Sequence, residues 1–202
     1  MLVAALFAYH NGTLLQRLTE SEHGLPSMVY DRQMLDKDAG EYIRHSESPK
    51  MVMLDEASDA KRIYEGDIVM QLMTEKCAIV SPEHAGAILP YNFMHIEVDT
   101  DRINPFYFVY WWDWSPEALA QRHQMKQGSS SVQKITARQL QDLHITLPPL
   151  DKQQRMGKVN QNRKRIQYLR QKREALMDQY LAQQFFRRNM YDDNRKTTPA
   201  TG

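Results

Sequence analysis

The sequence predicts an α+β fold, in which a mixed, mostly antiparallel sheet is followed by one long C-terminal helix. Residues 1–147 contain short apolar runs separated by turn residues, a pattern typical of strands. The stretch from Asp151 to Thr198 contains no proline, so a single helix can run through it. Between the two lies Leu147-Pro148-Pro149-Leu150, whose prolines disfavour helix immediately before them. We therefore expect a globular domain joined to a helical segment.

The strand predictions rest on apolar runs of strand length. These runs are Met51–Leu54, Ile68–Met73, Cys77–Val80 and Phe93–Val98. The last run alternates apolar and polar residues, as expected for a half-buried strand. The N-terminal run Met1–Ala8 lacks the basic residues of a secretory signal, and we predict that it forms a buried strand.

Two helices are predicted inside the globular domain. Asn104-Pro105 and Ser115-Pro116 each place a capping residue before a proline, which is a typical helix start. The aromatic residues of the first helix, Phe106 to Trp112, follow helical spacing. That spacing favours core packing over the alternative, a platform on which nucleic-acid bases stack.

The C-terminal helix, in segment 148–188, is strongly basic. Residues 151–188 contain eleven Lys or Arg and three Asp or Glu, so the segment carries +8 in a chain of net charge +1. A basic third joined to an acidic body indicates contact with a polyanion or an acidic partner surface. The alternative is a solvated helix face that serves solubility. Residues 189–202 are expected to be a disordered tail.

One stripe of the predicted helix is apolar at seven-residue spacing. Its members, which we predict to line a helix–helix pairing, are Val159, Ile166, Leu169, Leu176 and Tyr180. Polar residues interrupt the same stripe at Asn162, Arg173 and Gln183. An isolated helix of this composition buries too little to be stable, and no second long helix is predicted in this chain. We therefore expect pairing with a helix of another chain.

Motifs for catalysis are not found in the sequence, so no catalytic residue, metal ligand or cofactor is predicted. The eight glycines are isolated, which excludes the usual phosphate-binding and dinucleotide-binding loops. Asn104-Pro105-Phe106-Tyr107 only partly matches the Asn-Pro-Pro-Tyr box of amino-methyltransferases, and Asp55 with Asp59-Ala60-Lys61 only partly matches a nuclease site. The single Cys77 and the lack of a long apolar run favour a soluble protein of the reducing cytoplasm.

A polar and basic loop offers the best candidates for DNA contact. Lysines suit phosphates, whereas Gln and Ser suit base edges. The predicted DNA contacts are Lys126, Ser129, Ser130, Gln133 and Lys134, with Arg122 and Arg138 as second-line phosphate contacts. The alternative interpretation is an ordinary glycine–serine connector.

Several segments together resemble a known family. They are Tyr64–Val69, Ala78–Val80, Asn92-Phe93, Ile103–Tyr107, Gly128–Ser130, Gln133–Ile135, Leu140 and Leu143–Gln154. This pattern, above all Ile-x-Leu-Pro-Pro-Leu-x-x-Gln-Gln entering a long helix, is similar to the specificity (S) subunit of type I restriction–modification enzymes. The resemblance covers residues 60–185 well and the first 60 loosely. Met73–Cys77 departs from the family pattern, so no DNA contact is carried over from it.

The resemblance implies a target-recognition domain, residues 1–147, that binds double-stranded DNA, and a helical spacer that pairs antiparallel with a second spacer. A full S subunit carries two such units, so this chain resembles a half-size form that recognises a bipartite site as a homodimer or with another S chain. Chemistry would belong to methyltransferase (M) and endonuclease (R) subunits. The alternative is a coiled-coil regulatory protein that pairs with a larger S subunit and has little DNA binding of its own.

Overall fold

The computed structural model describes residues 6–55, 57–126 and 134–196. Its strands are β1 (Phe7–Asn11), β2 (Leu25–Met28), β3 (Met51–Leu54), β4 (Ile68–Gln71), β5 (Cys77–Ile79) and β6 (Phe93–Val98). Its α-helices are α1 (Arg32–Asp38), α2 (Pro105–Trp114), α3 (Pro116–Lys126), α4 (Ala137–Gln141) and α5 (Leu150–Lys196). The predicted α+β fold with a long C-terminal helix is confirmed.

The strands form one four-stranded sheet and one two-stranded ribbon. The sheet has the order β1-β6-β4-β5, and β2 pairs with β3 in the ribbon. All of these ladders are antiparallel, with His10 opposite His95 between β1 and β6 and Val69 opposite His95 between β4 and β6. The central position of β6 explains why four of its six residues are buried.

The alternation of side chains along the central strands divides the core between the two faces of the sheet. On one face, Met94 and Ile96 of β6 belong to the same buried cluster as Phe108 and Trp112 of α2. On the opposite face, Phe93 packs in a second cluster that contains Tyr30 and Leu35. Four aromatic residues of α2 therefore pack in the core, as their helical spacing predicted, whereas Phe106 and Trp114 are exposed.

The predicted helix starts within the globular domain are confirmed. The side chain of Asn104 accepts a hydrogen bond from the backbone N–H of Tyr107 at 3.1 Å, and Pro105 begins α2. The helix α3 begins at Pro116, after Ser115. These caps satisfy backbone donors that the first turn of a helix leaves without partners.

Other boundaries differ from the prediction. Strand β1 begins at Phe7, and residues 1–5 of the predicted N-terminal strand lie outside the described residues. The helix α5 continues to Lys196, beyond its predicted end at Arg188, because no proline or glycine interrupts that stretch. The described helix thus includes residues 189–196 of the expected disordered tail, whereas 197–202 lie outside the described part of the chain. Across the described ranges, none of the helices is both long and apolar enough to cross a membrane.

Candidate nucleic-acid interface

The segment predicted to contact DNA connects α3 to the residues that precede α4. The side chain of Lys126, at the end of α3, and the residues Ser129, Ser130 and Gln133 lie outside the described part of the chain. They remain predictions. The structure does show where the segment leaves and rejoins the globular domain, and it describes the three remaining candidates, Arg122, Lys134 and Arg138.

Lys134 marks the point at which this segment rejoins the domain. The backbone N–H of Ile135 donates to the carbonyl of Leu72 at 3.0 Å, just after β4. The Lys134 ammonium lies 5.2 Å from the centre of the Tyr91 ring and donates to the Tyr91 carbonyl at 3.5 Å. Tyr91 is itself 54 % exposed. A cation is thus held over an exposed aromatic ring beside the predicted loop, an arrangement suited to phosphate and sugar contact.

Arg138 lies in the short helix α4. Thr136 and Gln139 form a reciprocal capping box at its start, which fixes the helix against the segment that follows Lys134. The Arg138 side chain is exposed, whereas Leu140 of the same helix is buried in the core. The guanidinium therefore faces solvent, where a phosphate could reach it.

Arg122 has a different environment, because its guanidinium contacts the protein interior. Its Nε donates to the Glu75 carboxylate at 2.9 Å, and a terminal nitrogen lies 2.8 Å from the same oxygen. A further nitrogen donates to the Trp112 carbonyl at 3.2 Å, and the guanidinium carbon is 4.8 Å from the centre of a Trp112 ring. Glu75 is only 3 % exposed. The structure gives Arg122 a clear structural role, and phosphate contact by Arg122 remains an untested prediction.

Sequence reasoning did not single out Tyr91. It lies with Asn92 in the turn that precedes β6, between two stretches of core residues. Only its position beside Lys134, which is distant in sequence, indicates a surface role. The neighbouring turn between β4 and β5 adds a further exposed apolar residue, Met73 at 46 %.

The helix α5 is attached to the globular domain along one of its faces. Gln153, Gly157, Asn160, Lys164, Tyr168, Gln171 and Ala175 recur every three or four residues along this inner face. Gly157 lies so close to α2 that an added Cβ would be 2.8 Å from the Cβ of Phe106. The Lys164 ammonium lies 3.3 Å from Asp113 of α2. Burial raises the pKa of the Asp113 carboxyl, and Lys164 opposes that shift.

Residues after α1 complete this attachment. The backbone N–H of Tyr42 donates to the Gln171 side chain at 3.1 Å. Arg44 donates to Asp178 at 2.7 Å. The inner face is therefore held from its first turn to beyond residue 170, and the direction of α5 relative to the globular domain is fixed.

The outer face of α5 carries the predicted apolar stripe, which we call the seam. Its five members are exposed by between 48 % and 67 %: Val159, Ile166, Leu169, Leu176 and Tyr180. At 3.6 residues per turn, they lie roughly opposite the inner face. Within the described part of the chain the seam has no covering element. Pairing through it remains a prediction.

A cleft of about 660 Å³ lies between α5 and the residues around α1 and β5. The charges that line it are mixed, because Glu41, Glu65 and Glu83 are accompanied by Lys37 and Arg165. This mixture disfavours binding of a polyanion there. The described residues also contain no group of three His, Cys, Asp or Glu side chains that could hold a metal ion.

Among the comparisons with known proteins, only the one with solved structures found matches to this chain. No protein-family model matches the sequence, and no curated protein matches it either. The chain is similar to a chain of a structure described as the basis of complex assembly and conformational transition of the type I R-M (restriction–modification) system. That match has a TM-score of 0.56 and 19 % identity, and it covers 98 % of this chain and 50 % of the other.

Two further structures are S subunits. The HsdS subunit from Thermoanaerobacter tengcongensis matches with a TM-score of 0.54 and 22 % identity, over 89 % of this chain and 48 % of that one. The type I restriction–modification S subunit from M. genitalium matches with a TM-score of 0.52 and 9 % identity, over 88 % and 42 %. This chain therefore has the fold of type I S subunits and spans about half the length of the structures that it matches.

Proposed function

We propose that the protein is a sequence-specific DNA-binding specificity subunit of a type I restriction–modification enzyme. The observation that carries the proposal is the shared architecture, a sheet domain followed by a long helix, in solved S subunits. The family signature at Leu143–Gln154, where the domain passes into α5, supports the same conclusion. The subunit is non-catalytic and works in the cytoplasm.

In this proposal the globular domain reads one half of a bipartite DNA site. Lys134 and Arg138 contact phosphates and set the position of the domain on the duplex, and loop residues contact base edges. Neutralising phosphates makes the affinity strongly dependent on salt. Methyl transfer and cleavage belong to the M and R subunits, which the specificity subunit directs to the site.

A bipartite site requires a second recognition domain, and the seam of α5 is the surface through which we propose that it is recruited. The described helix has 47 residues and spans roughly 70 Å. Two domains separated by such a helix reach major grooves on one face of DNA, which recur every ~34 Å. The sequence prediction for the second chain is another copy, which would give inverted-repeat half-sites, or another S chain.

A DNA selection experiment tests this function. Purified protein, alone and with an adenine methyltransferase subunit of the type I class, is incubated with a randomised duplex pool, and bound duplexes are sequenced. Enrichment of a two-part motif in either condition is expected. If neither condition enriches a motif, the chain does not read sequence, and the regulatory alternative, in which α5 only pairs with a larger S subunit, is favoured.

A further inference from the structure

The outer face of α5 is cationic as well as apolar. Two rows of exposed Lys and Arg run beside the seam at seven-residue spacing. One row contains Lys158, Arg165 and Lys172. The other contains Arg163, whose guanidinium lies 3.9 Å from the centre of a Trp114 ring of α2, and Arg170, which is exposed. Because side chains seven apart lie on nearly the same line of a helix, each row follows the seam for at least one heptad. Any helix that covers the seam therefore meets positive charge on both sides.

The carboxylates of α5 do not neutralise these rows. Residues 150–186 contain only Asp151, Glu174 and Asp178. Asp151 pairs within its own helix with Arg155 at 3.1 Å. Asp178 accepts a hydrogen bond from Arg44 of the globular domain. Glu174 lies one helical turn after Arg170, beyond the length where Val159, Ile166 and Leu169 are exposed. The charge beside the seam is thus of one sign along the length where Val159, Ile166 and Leu169 are exposed.

This pattern weighs against a second copy as the helix that covers the seam. In an antiparallel two-fold pair, each flanking row lies beside the same row of the other copy. Arg and Lys would then face Arg and Lys on both sides, and like charges at such positions destabilise a helix pair. A homodimer would gain the apolar contacts of the seam. Repulsion between the cationic rows of the two copies would offset part of that gain.

We propose that the seam binds a helix of a different protein chain, whose own apolar seam is flanked by Asp and Glu. This inference rests on the proposed function, in which α5 pairs with a second helix, and it specifies the charge of that helix. Carboxylates beside both cationic rows would form ion pairs at the rim of an apolar contact, which set partner choice in coiled coils.

DNA is less well suited to this surface than a helix. The rows alone could bind phosphates, but the five exposed apolar residues of the seam would then lie against a polyanion that offers them no apolar contact. An acidic helix with an apolar seam satisfies both features at once. The experiment must therefore also detect any binding of DNA along α5.

The experiment uses a charge-reversed copy of the full chain as the acidic partner. In the variant K158E/R170E/K172E the seam is unchanged, and all three substituted side chains are exposed. Wild type, variant and an equal mixture are compared by sedimentation velocity without DNA, in 0.1 M and 1 M NaCl. We expect the mixture to associate at least about tenfold more tightly than wild type alone at low salt, since several like-charge contacts become attractive. The difference should largely vanish at 1 M NaCl.

Matched controls separate charge reversal from loss of repulsion. The variant K158Q/R170Q/K172Q removes the same charges without reversing them and should give a smaller gain in the mixture. Circular dichroism and thermal unfolding verify that each variant is folded. If the triple Glu variant does not fold, R170E/K172E makes the same comparison with two substitutions.

Three results would overturn the inference. Wild type that dimerises as tightly as the mixture would identify a second copy as the occupant. A mixture in which every chain stays monomeric would show that the seam does not pair by charge. In a separate fluorescence anisotropy assay with a labelled duplex, loss of non-specific binding by the Glu variant, without mixed association in sedimentation, would identify DNA. Because the sedimentation experiment contains no DNA, its results are independent of the DNA selection that tests the proposed function.

Discussion

The backbone N–H of Asn104 donates a hydrogen bond of 2.9 Å to the side-chain Oε1 of Gln153. This contact joins the N-cap of α2 to the first turns of α5. The Gln153 amide nitrogen donates in turn to the carbonyls of Arg102 and Pro148, at 3.1 Å and 2.8 Å. Gln153 is 1 % exposed, so one buried amide connects the globular domain, the Pro148-Pro149 turn and the long helix. This joint helps to fix the position of α5 relative to the globular domain.

Gln153→Glu is expected to destabilise the protein by about 2–4 kcal/mol at neutral pH. The substitution keeps the shape of the side chain but replaces the donating amide nitrogen with a carboxylate oxygen that faces two carbonyls. Chemical denaturation monitored by circular dichroism measures the change. Gln154→Glu is the matched control, because Gln154 is the exposed neighbour. Equal stability of the two variants would show that the joint does not hold the helix.

Gly157→Ala is expected to lower the free energy of unfolding by about 1–3 kcal/mol. In an ordinary helix the same substitution stabilises by about 1 kcal/mol, because alanine has the higher helix propensity. Here the new Cβ would lie 2.8 Å from the Phe106 Cβ and 3.1 Å from the Tyr107 backbone nitrogen, so α5 and α2 must separate. Thermal unfolding measures the effect, with exposed Gln161→Ala as control. A higher melting temperature for Gly157→Ala would contradict this close approach.

These two residues illustrate what the sequence could and could not predict. Proline positions, capping residues and apolar spacing predicted β3, β6, α2, α3 and the start of α5, because those signals are local. From local signals alone, Gly157 would only lower the helix propensity of α5. Its role depends on contact with Phe106, which is distant in sequence. The spacing of apolar residues along one helix does not indicate how closely that helix approaches another.

At the candidate site, too, local sequence signals could not predict contacts between residues that are distant in sequence. Arg122 and Lys134 are both basic residues near a polar loop, and the sequence predicts a DNA contact for Lys134 and a second-line phosphate contact for Arg122. The fold separates them, because Arg122 pairs with the buried Glu75 and Lys134 lies over the exposed Tyr91. Glu75 also has a positive φ of 61°, which only the tertiary structure reveals. Short helices such as α1 and α4 were missed because five to seven residues carry too little periodicity.

Arg122→Met is expected to destabilise the fold by about 3 kcal/mol, since the Glu75 carboxylate loses its guanidinium partner in a buried setting. Methionine retains much of the side-chain length, so loss of packing is limited. The double variant Arg122→Met with Glu75→Gln should recover part of the loss, because the neutral amide no longer buries a charge. Urea denaturation of the four proteins of the cycle measures the coupling. Unchanged stability together with lost DNA affinity would instead identify Arg122 as a phosphate contact.

Burial raises the pKa of the Cys77 thiol, which is 1 % exposed in β5. Because the thiolate is the reactive form, Cys77 should react slowly with a disulfide reagent in the native protein and fast in denaturant. As the only cysteine, it gives one equivalent on unfolding. The comparison of rates with and without denaturant, read from the absorbance of the released thiolate, is the measurement. Rapid reaction in native buffer would show that β5 opens locally.

Lys134→Ala and Arg138→Ala are expected to weaken DNA binding without lowering stability, because both side chains are exposed. Each lost phosphate contact should reduce the slope of log affinity against log salt by about 1. Fluorescence anisotropy with a labelled duplex, from 50 to 300 mM salt, measures that slope, and thermal unfolding verifies the fold. Lys50→Ala is the control, since Lys50 is an exposed lysine beside β3, outside the predicted contact region. If the Lys134 and Arg138 variants keep the wild-type slope while Lys50→Ala reduces it, DNA binds through another face of the domain.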